Sequence, residues 1–210
     1  MTITIEKRHR KIKTRFSKKD IPKSLIYEEY SGKPLYYRGF KEVMLGLKSF
    51  DEIMGQSDIQ AIIHGVIMNF LIKNIDENNF FTVGNETGLH LDKKSNVSSD
   101  IVIYDKSTLQ KHQTQGKYFE IPPLSVIEID IQGDTSDFGI SELDYYSMKT
   151  KALLDFGVKE VLWFFSKTKQ VFVAKPSQNW QIIDWNKDLL ILENYRFNIN
   201  EELEKSGWRV

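Results

Sequence analysis

Cysteine is absent from the 210-residue sequence, which rules out disulfide bonds and thiolate metal ligands. A chain without cysteine suits a reducing compartment, and we expect a cytoplasmic protein. Long apolar runs are also missing. The longest, at residues 61–68, is interrupted by His64 and Gly65 and is too short to cross a bilayer. The charged N-terminus has no apolar segment typical of a signal peptide, so we expect no membrane association.

Several catalytic motifs are missing as well. The sequence has neither a glycine-rich phosphate-binding loop nor a nucleophile elbow. Its four histidines, His9, His64, His90 and His112, include no pair with metal-ligand spacing. The histidines therefore indicate no metal site, and we expect His64 to pack on a helix face.

The net charge is zero, but the charges are unevenly distributed. Residues 1–23 carry nine basic and two acidic side chains, a net charge of +7, which leaves −7 on residues 24–210. We interpret residues 1–23 as a basic N-terminal arm and residues 24–210 as a single domain. A basic arm on an acidic body can contact a polyanion such as DNA, or it can be a solvated tail that pairs with its own body.

The middle of the chain has the pattern of a strand, a helix and a second strand. Residues 124–131 are mostly β-branched or apolar, which indicates a buried strand. Residues 141–156 have helical periodicity and are followed by Gly157, a typical helix terminator. Residues 158–165 form the next apolar segment. A helix between two such strands predicts a βαβ unit with parallel strands.

Two acidic residues, Glu128 and Asp130, interrupt the first of these strands. Because side chains alternate between the faces of a strand, we expect both carboxylates on one face, about 7 Å apart. Ionised groups in a protein interior need a metal or a cation to neutralise them. Lys149 is the candidate cation, because its neighbours on the same helical face are apolar or aromatic. Lys151 has Asp155 four residues later and is typical of a solvated ion pair.

The rest of the sequence predicts further strands and helices. Residues 24–37 have the pattern of an N-terminal hairpin with Ser31 and Gly32 at the turn, which puts Glu28 and Glu29 on opposite faces. The other predicted elements are a helix that begins at Ser57, strands at 80–83, 89–91, 100–104, 170–174 and 181–185, and a polar loop with helical character at 106–119. Together they predict an α/β fold with strands of mixed direction.

Asp100, Glu128 and Lys149 form the candidate catalytic set. Asp100 is predicted at the start of its strand, and Glu128 lies within the next one. Two such carboxylates can hold Mg²⁺ or Mn²⁺, which are hard cations that prefer oxygen ligands. The ion can activate water and stabilise charge on a phosphoryl group, and a nearby lysine can stabilise an anionic transition state.

The same residues resemble the Uma-type endonucleases, a family of the restriction-endonuclease-like superfamily, which carries the PD-(D/E)XK motif. The resemblance covers residues 27–173. It rests on Tyr27-Glu28 and Gly32 in the hairpin, Ser99-Asp100-Ile101-Val102, Val126-Ile127-Glu128-Ile129, Lys149 eight residues before Gly157-Val158, and Glu160-Val161-Leu162-Trp163. It implies a restriction-endonuclease-like mixed β-sheet core flanked by helices.

The resemblance also implies a function, namely Mg²⁺-dependent hydrolysis of phosphodiester bonds in DNA. In this interpretation Asp100 and Glu128 bind the metal, and Lys149 replaces the lysine usually found two residues after the glutamate. Glu28 matches a further acidic position of the family. Asp130 occupies the usual lysine position, so the charge balance depends on Lys149. Ser99 replaces the motif proline, which sets only backbone shape.

Two alternatives remain open at this point. The chain can be a catalytically inactive relative that binds nucleic acid or a protein partner. It can also be an enzyme for a small phosphorylated molecule, because its body is acidic. Under the endonuclease hypothesis the expected partners are DNA and, in a homodimer, a second copy of the chain.

Overall fold

A computed structural model describes residues 16–17, 19–130, 133–136 and 140–209. Most of the predicted basic arm, residues 1–15 and 18, lies outside these ranges. The helices of the described part are α1 (Phe40–Met44), α2 (Asp51–Met54), α3 (Asp58–Asn74), α4 (Lys106–Gln110), α5 (Glu142–Phe156) and α6 (Ile199–Lys205). The strands are β1 (Ile26–Tyr30), β2 (Lys33–Tyr36), β3 (Phe80–Asp92), β4 (Ser95–Asp105), β5 (Ser125–Ile129), β6 (Glu160–Phe165), β7 (Gln170–Ala174), β8 (Gln181–Asp184), β9 (Leu189–Ile191) and β10 (Tyr195–Phe197).

Eight of these strands form one mixed sheet. Its order is β2-β1-β4-β5-β6-β7-β8, and β3 pairs with β4 along most of its length. Strands β5 and β6 are parallel and are connected through α5, which confirms the predicted βαβ unit. The other pairs in the sheet are antiparallel. The predicted α/β architecture, a mixed sheet flanked by helices, is therefore confirmed.

The N-terminal hairpin of β1 and β2 is also confirmed. Its turn residues Ser31 and Gly32 both have positive φ, at 49° and 74°, the backbone geometry that a two-residue hairpin of type I′ requires. Glu28 points inward and is only 2% exposed, whereas Glu29 is partly exposed.

Strand β4 changes partners along one of its edges. It pairs with β1 at Asn96 and with β5 from Ile101 to Ile103, while β3 runs along the other edge. Ser98 lies between the two pairings, and we call this place the strand junction. Side chains that fill the strand junction take over hydrogen bonds that a continuous ladder would supply.

The two faces of the sheet carry separate cores, because side chains alternate along each strand. One face packs against α3 and α6 through residues such as Ile101, Ile127 and Leu162. The other packs beneath α5 through residues such as Val102 and Val126. Asp100 and Glu128 are each two residues from these last positions, so they belong to the α5 face.

Three predictions about the strands are wrong. The segments predicted at 80–83 and 89–91 belong to one long strand, β3, which the bulge between Gly84 and Thr87 interrupts without ending it. Strand β4 begins at Ser95, so Asp100 lies in its middle and not at the start of a strand. The strand predicted at 124–131 ends at Ile129.

Candidate active site

Helix α5 brings Lys149 to the sheet. It begins at a capping box formed by Ser141 and Asp144, and it ends at Gly157, whose φ of 119° suits glycine. Lys149 is fully buried together with Tyr145 and Leu153 on the same helical face. Lys151 is exposed, as predicted. The helical periodicity therefore correctly distinguished the buried lysine from the solvated one.

The ammonium group of Lys149 lies in the strand junction. It donates hydrogen bonds to Glu28 Oε1 and to the carbonyl oxygen of Ser98, each at 2.7 Å. Its Nζ is also 3.0 Å from Glu128 Oε1, an ion pair without the angles of a hydrogen bond. Burial on its own lowers the pKa of Lys149, but the charges of Glu128 and Glu28 outweigh burial and raise it above its ordinary value. Lys149 is therefore held as a cation.

Glu28 is the closest acidic partner of this lysine. Its Oε2 accepts hydrogen bonds from the hydroxyl groups of Tyr30 and Tyr145, each at 2.7 Å. Its Oε1 accepts from Lys149 and, at 3.2 Å, from the backbone N–H of Ser98. The acidic position that the family resemblance pointed out thus lies in the same cluster as Glu128 and Lys149.

Asp100 and Glu128 face each other on adjacent strands. The β4–β5 register pairs Ile101 with Ile127 and Val102 with Val126, and the next position along the same ladder puts Asp100 opposite Glu128. Directly opposed side chains have Cβ atoms about 4.5–5.5 Å apart, so the two side chains are neighbours on the α5 face of the sheet. Asp100 Oδ2 also accepts a hydrogen bond from the backbone N–H of Ile129 at 2.7 Å.

Burial dominates the electrostatics of this pair. It raises the pKa of Asp100 to about 6, although the Ile129 hydrogen bond and the charge of Lys149 oppose the shift. It raises the pKa of Glu128 to about 8, against the charge of Lys149 and with the charge of Asp100. Two neighbouring carboxylates with raised pKa values favour a proton or a cation between them.

The pair suits a hard divalent cation. No group of three or more His, Asp or Glu side chains within the described ranges is arranged to hold a metal ion, so Asp100 and Glu128 would have to act as a pair. Mg²⁺ is commonly bound by one or two carboxylates, with water and substrate phosphate as the other ligands. Glu128 Oε1 is buried and pairs with Lys149 Nζ at 3.0 Å, and within the described residues it has no other hydrogen-bond partner, so it keeps lone-pair capacity for a metal ion. The donor set therefore fits the metal.

Asp130 does not join this cluster. It follows the end of β5 with a φ of 53°, and its carboxylate accepts hydrogen bonds from the backbone N–H and the hydroxyl of Ser166, at 3.0 and 2.6 Å. The prediction that Lys149 neutralises Asp130 is wrong, because the contacts of Lys149 are with Glu28, Glu128 and Ser98. The backbone turn after Ile129 breaks the strand alternation on which that prediction depended.

Sequence reasoning missed one acidic residue of the site, Glu86. It lies with Asn85 in the β3 bulge, and both have positive φ, at 53° and 69°. The pairs on either side of the bulge, Gly84 with Ile101 and Thr87 with Ser99, put the bulge opposite Asp100. Burial and then the charge of Asp100 raise the pKa of Glu86. No motif in the sequence points to this residue, because a bulge becomes visible only in the register of a strand pair.

A cleft of about 820 Å³ adjoins the C-terminal end of β5. Asp130 lines it, as does Gln60, whose side-chain amide donates to the carbonyl oxygen of Ile129. Both basic and acidic side chains line the cleft, and Tyr146 and Phe165 are aromatic residues of its lining. Asp100, Glu128 and Lys149 are not among the lining residues, so the cleft is next to the carboxylate pair and does not contain it.

The fold is shared with a solved nuclease-like structure. The crystal structure of a "putative nuclease belonging to DUF820" from Anabaena variabilis aligns with a TM-score of 0.61 and 13% sequence identity, over 84% of this chain and 89% of that one. No curated protein matches the sequence. None of the described helices has both the length and the apolar character needed to cross a membrane. The architecture, a mixed sheet flanked by helices, is that of the restriction-endonuclease-like class.

The family model of Uma2, described as "Putative restriction endonuclease", matches residues 51–196. The chain belongs to the Uma2 family. The match includes Asp100, Glu128 and Lys149, whereas Glu28 lies before it.

Proposed function

We propose that the protein is a divalent-metal-dependent endonuclease that hydrolyses phosphodiester bonds in DNA. The observation that carries the proposal is the opposed position of Asp100 and Glu128 on adjacent strands, with the buried cation of Lys149 3.0 Å from Glu128. Membership of a family described as restriction endonucleases supports the reaction class.

Asp100 and Glu128 would hold the metal, Mg²⁺ or Mn²⁺. When bound, the metal would supply an activated water and stabilise charge on the phosphate. The protein prepares the site with fixed contacts. The backbone N–H of Ile129 orients Asp100, and Lys149 favours the ionised form of Glu128, which is its ligand form. The aromatic residues around Lys149 exclude water and so strengthen these electrostatic interactions.

Lys149 acts in this proposal mainly through charge. Two of its N–H groups donate to Glu28 and Ser98, and the ammonium lies against Glu128. We infer that its positive charge, fixed in a buried site, stabilises the negative charge that develops on the scissile phosphate.

DNA would approach from the side of the cleft. The arm, residues 1–23, has a net charge of +7 and can neutralise backbone phosphates. Because each chain provides one such site, cleavage of both strands at one locus would need a second copy, and we propose a homodimer on duplex DNA.

The test is cleavage of supercoiled plasmid DNA by purified protein with Mg²⁺ or Mn²⁺, and with EDTA as the metal-free control. Asp100→Asn and Glu128→Gln keep the side-chain shapes and remove the charges, and we expect each to slow nicking by at least about 100-fold. Asp155→Asn is the matched control, since Asp155 is an exposed acid on α5. Nicking that survives in both site variants would refute the assignment.

One observation favours a second candidate, a catalytically inactive module that binds nucleic acid. Asp130 occupies the position of the usual motif lysine, and its carboxylate accepts hydrogen bonds from Ser166. A wild-type protein that binds DNA with metal present and cuts neither duplex nor single strands would support this candidate over the endonuclease.

A further inference from the structure

The carboxylate of Glu28 has no room for a metal. A carboxylate can accept about four hydrogen bonds. Glu28 receives hydrogen bonds from Lys149, the Ser98 backbone, Tyr30 and Tyr145, two on each oxygen. A metal ion on Glu28 would have to displace at least one of these charge-assisted contacts.

Glu128 is in the opposite situation. Its Oε1 is buried and, within the described residues, has Lys149 Nζ at 3.0 Å as its one close donor, and the β4–β5 register puts Glu128 opposite Asp100. Both acids are 2% exposed, so burial does not distinguish them. What distinguishes them is the number of donors that the protein itself provides.

We propose that Glu28 is a positioning residue for Lys149 and not a metal ligand, and that Tyr30 and Tyr145 hold Glu28 in place. We call Glu28, Tyr30 and Tyr145 the lysine clamp. The proposal deepens the proposed function, because the positioned ammonium is the one that lies against Glu128.

The geometry explains why the clamp uses two tyrosines. Lys149 reaches the strand junction from α5, whereas Glu28 belongs to β1, and their hydrogen bond joins elements 121 residues apart in the chain. The two hydroxyl groups occupy Oε2, which leaves Oε1 for Lys149 and Ser98. Burial, followed by the charge of Glu28, raises the pKa of both tyrosines well above the ordinary value, so they stay neutral donors. The clamp thus fixes the Glu28 carboxylate with two neutral donors and adds no second cation.

A matched control is available on the same face of the sheet. Tyr104 is buried in the same core as Tyr30 and Tyr145, but within the described part of the chain its hydroxyl group has no hydrogen-bond partner. Tyr104→Phe therefore removes a buried hydroxyl group without touching the clamp. Tyr30→Phe and Tyr145→Phe each remove one hydrogen bond to Glu28.

The first readout reports on the clamp and does not depend on cleavage. In protein labelled with ¹⁵N-lysine, the ammonium signal of Lys149 is identified by its loss in Lys149→Met. We expect this signal to shift in Tyr30→Phe, Tyr145→Phe and Glu28→Gln, and to stay unchanged in Tyr104→Phe. An unchanged signal in both Tyr30→Phe and Tyr145→Phe would overturn the clamp.

The second readout separates positioning from metal ligation. Glu28→Gln should weaken Mn²⁺ binding by about 10–100-fold, the effect of a residue that does not itself bind the metal, whereas Glu128→Gln should remove the binding site. Loss of Mn²⁺ binding in Glu28→Gln equal to that in Glu128→Gln would make Glu28 a ligand and refute the proposal. If the wild type binds no Mn²⁺, the proposed function fails, while the ammonium signal still decides the clamp.

In a protein that cleaves DNA, Tyr145→Phe should lower kcat by about tenfold, because a hydrogen bond to a charged group is lost. KM should stay within about twofold, since neither tyrosine is expected to touch substrate. A change in KM with kcat unchanged would contradict a positioning role.

Discussion

Replacement of Lys149 by methionine should destabilise the fold strongly. Methionine keeps most of the side-chain length and removes the charge, which leaves Glu28 and Glu128, both 2% exposed, without their cation. Removal of one partner of a buried ion pair costs about 3–5 kcal/mol. For a chain of this size, 1 kcal/mol corresponds to about 2–4 °C in Tm, so we expect Tm to fall by about 6–20 °C.

The loss of stability in Lys149→Met should increase with pH. Burial raises the pKa of Glu128 from an ordinary value of 4.5 to about 8 while Lys149 is present. A group whose pKa is raised on folding contributes stability below its unfolded pKa, and this contribution is lost as the pH rises through the folded pKa. Without Lys149 the folded pKa of Glu128 moves still higher. The part of the deficit that comes from Glu128 should therefore be small near pH 5 and large near pH 8, so the total deficit should be larger at pH 8.

Thermal unfolding followed by circular dichroism, at both pH values, measures this deficit. Lys151→Met is the control, because Lys151 is exposed on the same helix and its loss should change stability by less than about 0.5 kcal/mol. A deficit below about 2 °C at pH 8, or one equal at the two pH values, would refute the idea that Lys149 compensates buried carboxylates.

Two further predictions concern other parts of the chain. Deletion of residues 1–23 should flatten the salt dependence of DNA binding. The slope of log Kd against log salt should fall by about 0.9 for each phosphate that the arm neutralises. An unchanged slope in a binding titration would mean that the arm is a solvated tail. Gly133→Ala should destabilise the fold by about 1–3 kcal/mol in urea unfolding, because an added Cβ would lie 2.6 Å from Leu35 Cδ2 and 3.2 Å from Tyr27 Cδ1. Gly65→Ala is the control, because Gly65 lies in the middle of α3 and an added Cβ would have nothing within 4 Å. This change should instead stabilise the fold by about 0.5–1 kcal/mol. Equal effects of the two changes would contradict the close approach at Gly133.

The sequence predicted the part of the site that depends on local periodicity. Helical spacing put Lys149 on the buried face of α5 and Lys151 in solvent, and both placements are confirmed. The βαβ pattern predicted the parallel pairing of β5 with β6, over which α5 carries Lys149. These predictions succeeded because each one depends on residues that are close in the chain.

The contacts that the sequence did not predict depend on pairing between distant segments. The hydrogen bond between Glu28 and Lys149 requires β1 to reach the strand junction, and no local pattern indicates that pairing. Asp130 was misplaced because a positive φ follows the end of β5, and β-strand alternation does not continue through such a turn. Glu86 lies opposite Asp100 only because of a bulge in β3.

The most direct test of the proposed metal site is a calorimetric titration of Mn²⁺ into the protein without DNA. We predict one binding site per chain in the wild type and in Asp155→Asn, and its loss in Asp100→Asn and in Glu128→Gln, with all four proteins folded by circular dichroism. Absence of binding by the wild type at millimolar Mn²⁺, or wild-type binding by both site variants, would contradict the claim that these two carboxylates form the metal site.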